Sequence, residues 1–303
     1  MSDDAVFARL QASHREFLAM VEAIRPDLHR YCARMTGSVA DGEDIVQDTL
    51  ARAYYRIAEL EEPPALRTWL FQIAHNRALD HLRRYERRMG QPLEPLEESL
   101  AAHDGDGVDP EGALARDEVV RIVVSRFLAL APAQRSCVVL KDVLGHSIEE
   151  IGDLLGLSAP AVKAALHRGR TKLQELGDAE PVAVRKASPA VARYAALFNA
   201  RDWDGVRAMM ADDVKLDLVA RLRRAGRQQV SSYFTNYDYV DDWHLVPAWL
   251  DGKEVLAVFR APQDERPSYF VELIFVDGQL DTIRDYRYVP YIGADARFTL
   301  SAP

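Results

Sequence analysis

The stretch SIEEIGDLLGLSAPAVKAALHRGRTK, Ser147 to Lys172, decides how the chain is read. Ser147 followed three residues later by Glu150 has the form of a capping box, and Ile148, Ile151, Leu154 and Leu155 then recur at helical spacing. Gly156 ends that helix and Ser158 can cap the next, in which Val162, Leu166, Gly169 and Leu173 form one inward stripe. Lys163, His167, Arg168, Arg170 and Lys172 occupy the opposite face with no acid among them. Two short helices joined by a Gly-Leu-Ser turn, the second apolar inside and basic outside, make the pattern of a helix-turn-helix whose second helix enters a major groove. A solvated basic face on an ordinary helical hairpin would look similar, so the partner has to be argued from the rest of the chain.

At 303 residues the chain has room for two or three domains. It is 48% hydrophobic and 28% charged, with no apolar run long enough to span a bilayer and no signal-like start, which predicts a cytoplasmic protein without a membrane partner. Cys32 and Cys137 sit far apart inside apolar-periodic stretches, as packed reduced thiols do, and no metal cluster, cofactor motif or catalytic constellation is expected. The net charge of −9 is unfavourable for holding a polyanion, but the charge is unevenly distributed. Arg83, Arg84, Arg87 and Arg88 form one basic island, the second helix of the opening motif forms another, and local fields steer nucleic acid.

In chain order, an amphipathic helical start ends at Gly37, and Ser38 with Asp41 caps a helix to about Ala58 whose inward stripe is Val46, Leu50, Ala53 and Ile57. Asp41, Glu43, Asp44, Gln47 and Asp48 give it an acidic, amide-bearing face. After Pro63-Pro64 a helix from about Ala65 to Arg88 carries Trp69, Gln72, His75 and Asn76 ahead of the arginine island, offering stacking surfaces and charge suited to unpaired nucleic acid. From Gln91 to Glu111 there are seven acids and no lysine or arginine, interspersed with proline and glycine, which reads as an extended linker. Helical rhythm resumes at Leu114 and leads into the opening motif.

Two stretches carry a family resemblance. TGSVADGEDIVQDTLARAYYRI with LRTWLFQIAHNRALDHLRRYERR resembles domain two of bacterial sigma-70-type factors of the extracytoplasmic-function (ECF) group, and LAPAQRSCVVLKDVLGHSIEEIGDLLGLSAPAVKAALHRGRTKL resembles their domain four. The resemblance implies a promoter-specificity subunit whose partners are core RNA polymerase and promoter DNA. It assigns core docking to Asp41, Glu43, Asp44, Gln47 and Asp48, facing a basic clamp helix. It assigns capture of the −10 element to Trp69, His75, Asn76, Arg83, Arg84 and Arg87, and −35 contacts to Ser158, Lys163, His167, Arg168, Arg170 and Lys172. The rival reading, a one-component ligand-sensing DNA-binding regulator, leaves the GEDIVQ face and the Trp69 to Arg88 stretch without a task.

The remaining residues alternate differently. Two helical segments, a strand around Val214 to Leu218, a helix near Gln228 to Phe234 and four strand-like runs follow, with Asp251-Gly252 and Asp277-Gly278 as hairpin turns. This order resembles the SnoaL-like, nuclear-transport-factor-like superfamily. Asp217, His244, Tyr269 and Asp285 are the candidate pocket residues for a small ligand, and a protein partner is the other possibility. The expected architecture is multidomain: all-α sigma domain two over residues 1–90, an acidic linker over 91–113, all-α sigma domain four with its helix-turn-helix over 114–176, a linker over 177–188, and an α+β cone over 189–303 acting in cis. The linker alone leaves the spacing of the two helical domains unfixed.

Overall fold

The computed structural model describes residues 3–57, 66–89, 124–176, 185–234, 237, 243–261, 263–296 and 298–302. The expected acidic linker, the helical run from Leu114 to Val123 and the Pro63-Pro64 break lie outside these residues, as does most of the 177–188 linker. Contacts divide the chain into two compact units, Met1–Ala179 and Glu180–Pro303.

The first unit is helical. Helices α1 (Asp3–Thr36), α2 (Val39–Ile57) and α3 (Leu66–Met89) are followed by a 3-10 turn (Val124–Ala129), α4 (Pro132–Val138), a π-type turn (Val139–Val143), α5 (Ile148–Leu155) and α6 (Ala159–Glu175). Gly37 adopts a left-handed φ of 73°, turning the chain from α1 into α2. At Gly42 a Cβ would lie 2.6 Å from the Ala33 backbone, so only glycine lets α1 and α2 cross this closely.

One hydrophobic core runs through both helical regions of this unit. Leu28, Tyr31, Met35, Phe71 and Leu82 from α1 and α3 belong to the same buried cluster as Phe127, Cys137, Leu140, Ile151 and Leu166. Sequence reasoning expected two domains with unfixed spacing; here they pack together, and a polar set crosses the join. Tyr31 Oη lies 2.7 Å from His75 Nδ1 and donates to Ser136 Oγ at 3.2 Å, while Arg135 donates to the carbonyls of Met35 and Leu130. Buried polar groups need such partners, so these bonds specify how the halves meet. Both cysteines are buried free thiols, and burial pushes the Cys137 thiol up to about 12.

The second unit is α+β. Helices α7 (Pro189–Asn199) and α8 (Trp203–Ala208) precede β1 (Met210–Leu218), β2 (Leu222–Ala225), α9 (Arg227–Phe234), β3 (His244–Leu250), β4 (Lys253–Phe259), β5 (Tyr269–Val276), β6 (Gln279–Asp285), the short α10 (Ile292–Asp295) and β7 (Phe298–Leu300). The strands form one seven-stranded sheet in the order β2-β1-β6-β5-β4-β3-β7, antiparallel except where β1 runs parallel to β6. Both Asp-Gly pairs are left-handed, with φ of 48° and 82° at Asp251-Gly252 and 51° and 79° at Asp277-Gly278, the geometry of two-residue primed hairpin turns. Val191, Tyr194 and Phe198 of α7 and Val230, Tyr233 and Phe234 of α9 pack on the sheet face carrying Leu245, Leu256, Val258, Val271, Leu273 and Ile283, which gives the cone.

Candidate functional site

The helix-turn-helix is built as its sequence dictates. Ser147 Oγ accepts from Glu150 N at 3.1 Å, Ser147 N donates to Glu150 Oε2 at 2.7 Å, and Gly156 terminates α5 with φ 71°. Ser158 caps α6 by accepting from Ala161 N, so its hydroxyl has a structural task at the position expected to touch DNA. Val162, Leu166, Gly169 and Leu173 are buried, and a Cβ at Gly169 would come within 2.7 Å of Val138, so α6 lies hard against α4.

This packing leaves Lys163, His167, Thr171 and Lys172 exposed and Arg168 half-buried on the outer face. His167, Arg168, Thr171 and Lys172 flank an open groove of about 550 Å³ completed by Leu128 to Pro132, Gln134 and Glu175, whose carboxylate lies 3.5 Å from the Lys172 ammonium. Arg170 departs from expectation. Its guanidinium grips Asp142 with two bonds, at 3.0 and 2.7 Å, and only 17% of its side chain is exposed, so it ties α6 to the π-type turn and is not part of the outer face.

The acidic face of α2 separates into two groups. Asp44 is exposed, and Asp41, Gln47 and Asp48 are half-buried. Glu43 is fully buried and pairs with Arg25 of α1, a correction with a simple geometric reason: three residues before Val46, it falls on the inward stripe. Asp48 bonds Arg52 four residues on and Arg77 of α3, fastening the two helices. Between them a groove of about 410 Å³ is lined by Asp44, Ile45, Asp48, Arg77, His81, Arg84 and Tyr85.

On α3, Asn76, Arg83 and Arg84 are exposed and Trp69 is half-buried against the core. His75, expected beside them, is only 7% exposed and points to Tyr31 and Ser136, because it shares the inward face with Phe71, Ala74, Ala78 and Leu82. Burial lowers its pKa to about 4, so the ring is neutral. The side chain of Arg87 lies outside the described residues. Sequence reasoning missed the exposed aromatics of this region, Tyr54, Tyr55 and Tyr85; Tyr55, 76% exposed, stands seven residues after Asp48 and so near its face of α2.

In the second unit the four expected pocket residues do not converge. Tyr269 and Asp285 are buried and joined through two residues the sequence reading passed over, by Tyr269–Tyr237 (3.2 Å), Tyr237–Tyr233 (2.9 Å) and Tyr233 Oη to Asp285 Oδ2 (2.5 Å). The four-residue spacing of Tyr233 and Tyr237 was the available signal. Burial raises the pKa of Asp285, opposed by the bonds from Tyr233 and the Arg287 amide. Asp217 belongs elsewhere: its register partner is Arg284, on the sheet face opposite Ile283 and Asp285, and it pairs with Arg223 at 3.2 Å. His244, the first residue of β3, is exposed. Strand alternation places Asp217 and His244 away from the face that carries Tyr269 and Asp285, so the four do not line one pocket.

Comparison with known proteins finds a match for each of the two helical regions. The family description Sigma-70 region 2 matches residues 20–88, and Sigma-70, region 4 matches residues 121–173. The ECF RNA polymerase sigma factor SigW of Bacillus subtilis is 31% identical over 168 residues, covering 52% of this chain and 87% of that protein. The ECF RNA polymerase sigma factor SigG of Mycobacterium tuberculosis is 34% identical over 218 residues, 62% of this chain; the match spans only 57% of SigG. The crystal structure of SigJ, an extracytoplasmic function sigma factor of Mycobacterium tuberculosis, aligns over 88% of this chain and 95% of its own, at 21% identity and a TM-score of 0.34. The two matched regions define a protein of the sigma-70 class. Within it, the chain belongs to the ECF RNA polymerase sigma factor family.

Proposed function

We propose that this chain binds core RNA polymerase through the exposed part of the α2 acidic face, centred on Asp44 and Gln47, and directs it to promoters. The −35 element is contacted by Lys163, His167, Arg168 and Lys172, and the −10 element by Trp69, Asn76, Arg83 and Arg84. The observation that carries this reading is the double exposure: a capped helix-turn-helix with exposed cationic side chains on its outer face, and a second helical region presenting an acidic helix beside a cationic one. Acids on α2 suit a basic partner helix, and cations on α6 suit phosphates and base edges. The second unit is a SnoaL-like domain that modulates activity in cis.

Run-off transcription with core polymerase, set beside a gel shift with the protein alone, tests the main reading. Promoter binding only in the presence of core supports it; tight specific binding by the isolated chain indicates a one-component regulator. Truncations ending at Gly177 and at Ser188, compared with the full chain, test modulation in cis. Equal initiation by all three removes that role from the second unit.

A further inference from the structure

The second unit carries a basic edge to which no role has been assigned. Between Leu218 and Tyr237 the chain holds Arg221, Arg223, Arg224 and Arg227 and no acid, in a protein of net charge −9. Strand β2 lies at the edge of the sheet, paired on one side with β1, and all four of its residues are exposed. Register places Arg223 opposite Asp217 on one sheet face and Arg224 opposite Leu216 on the other, so guanidinium groups flank the edge from both sides.

These charges are incompletely matched. Arg223, with 73% of its side chain exposed, contacts Asp217, which also serves Arg284 at 3.8 Å. Arg224 donates to the neutral hydroxyl of Ser232 at 2.7 Å, and Arg221 lies 5.2 Å over the ring of Tyr288, itself 44% exposed. No described carboxylate pairs with Arg221 or Arg224. Charged side chains also guard sheet edges against pairing with other strands. Guarding, however, needs charge of either sign, whereas the charged residues of β2 itself are both arginines and beside them Arg221 lies over an exposed aromatic ring; Arg227, further on, is paired with Asp212.

We infer that the β2 edge, through Arg221, Arg223 and Arg224, is a sequence-independent contact for the phosphate backbone of duplex DNA, additional to the helix-turn-helix. The inference rests on the promoter-binding reading only in that promoters bring duplex DNA to the chain. Phosphate contacts of this kind fix position without reading bases and release counterions as they form.

The test uses the full-length chain with Arg221→Ala/Arg223→Ala/Arg224→Ala, and a matching triple lysine variant. Binding is measured as a function of salt in two arms: the chain alone on a random-sequence duplex, and the chain with core polymerase on a promoter fragment. The alanine variant is expected to lose about tenfold in affinity at low salt, with the slope of log K against log salt shallower by about 2 to 3, since each phosphate contact contributes about 0.9. The lysine variant, which keeps the charge, restores most of the slope. Unchanged slopes in both arms overturn the inference, including the case in which the alanine variant aggregates and the edge is merely guarded. Weaker binding to core polymerase without DNA, at an unchanged salt slope, also overturns it and identifies an acidic protein surface as the occupant. Failure of the wild-type chain to bind core would sink the promoter-binding reading while leaving the first arm to decide this one.

Discussion

Tyr31 Oη and His75 Nδ1 meet at 2.7 Å in the core where the two helical regions join, with Ser136 Oγ 3.2 Å from the same hydroxyl. The neutral ring can donate its Nδ1 proton to Tyr31 Oη there while the Tyr31 hydroxyl donates to Ser136, and burial holds the histidine pKa at about 4 against 6.5 for a free histidine. Above the free value both folded and unfolded chains are neutral at this position and its full contribution to stability is present. As pH falls from 6.5 toward 4, the unfolded chain takes up the proton first, and roughly 3 kcal/mol is lost. Urea midpoints between neutral pH and pH 4 should therefore drop more steeply for the wild type than for His75→Asn, which cannot titrate. Parallel curves would show that His75 does not govern the acid sensitivity of this unit.

Arg135 is 1% exposed, and its guanidinium serves the carbonyls of Met35, Leu128 and Leu130. Methionine fills similar volume without donors, leaving carbonyl oxygens buried and unsatisfied at roughly 1–3 kcal/mol each. Arg135→Met is expected to destabilise the first unit by about 3 kcal/mol or more, and both helical regions should unfold earlier, because the bond to Met35 crosses between them. Selective loss of the region after Val124, with α1 to α3 unaffected in hydrogen exchange, would contradict a shared core.

Basic residues on α6 should divide by task. Asp142→Ala removes the two-bond partner of a largely buried Arg170, at about 3–5 kcal/mol of stability. Lys163→Ala alters an exposed side chain and should stay within about 0.5 kcal/mol of wild type in a thermal melt while weakening −35-dependent binding. Equal losses of stability in the two variants would erase the distinction between the packed and outer faces.

Helix faces, caps and hairpin turns were legible in the sequence because they are local. Ser147 and Glu150 stand three apart, Val162, Leu166, Gly169 and Leu173 follow the helical period, and Asp-Gly calls for left-handed backbone. Long-range relationships were not. Nothing near Tyr31, His75 or Ser136 in sequence announces that they meet, and a histidine in a polar-looking helix reads as surface until its neighbours are known. Glu43 was misread for the same reason, since its partner Arg25 lies eighteen residues away on another helix. Strand β2 escaped because LRRA lacks apolar alternation, and the placement of β1 beside β6 joins residues about seventy apart. In the cone, assigning pocket residues by type alone put Asp217 on the same face as Asp285, which strand register forbids.

The burial difference between Asp44 and Glu43 separates docking from folding on a single helix. Asp44 is exposed on the outer face of α2, whereas the carboxylate of Glu43 is fully buried and bonded to Arg25. Asp44→Arg places a cation where a basic partner helix is expected, a juxtaposition that costs several kcal/mol in binding and should leave the melting temperature unchanged. Glu43→Ala empties a buried ionic site and should cost about 3 kcal/mol of stability, yet the surviving folded molecules keep the docking face. Titrating both variants against core polymerase at a temperature where each is folded, with melts recorded in parallel, distinguishes the two effects. Asp44→Arg should abolish binding at concentrations that saturate the wild type, and Glu43→Ala should bind close to normally. Wild-type affinity for Asp44→Arg would remove the outer face of α2, and the groove that Asp44 lines with Arg77 and Arg84, from the interface.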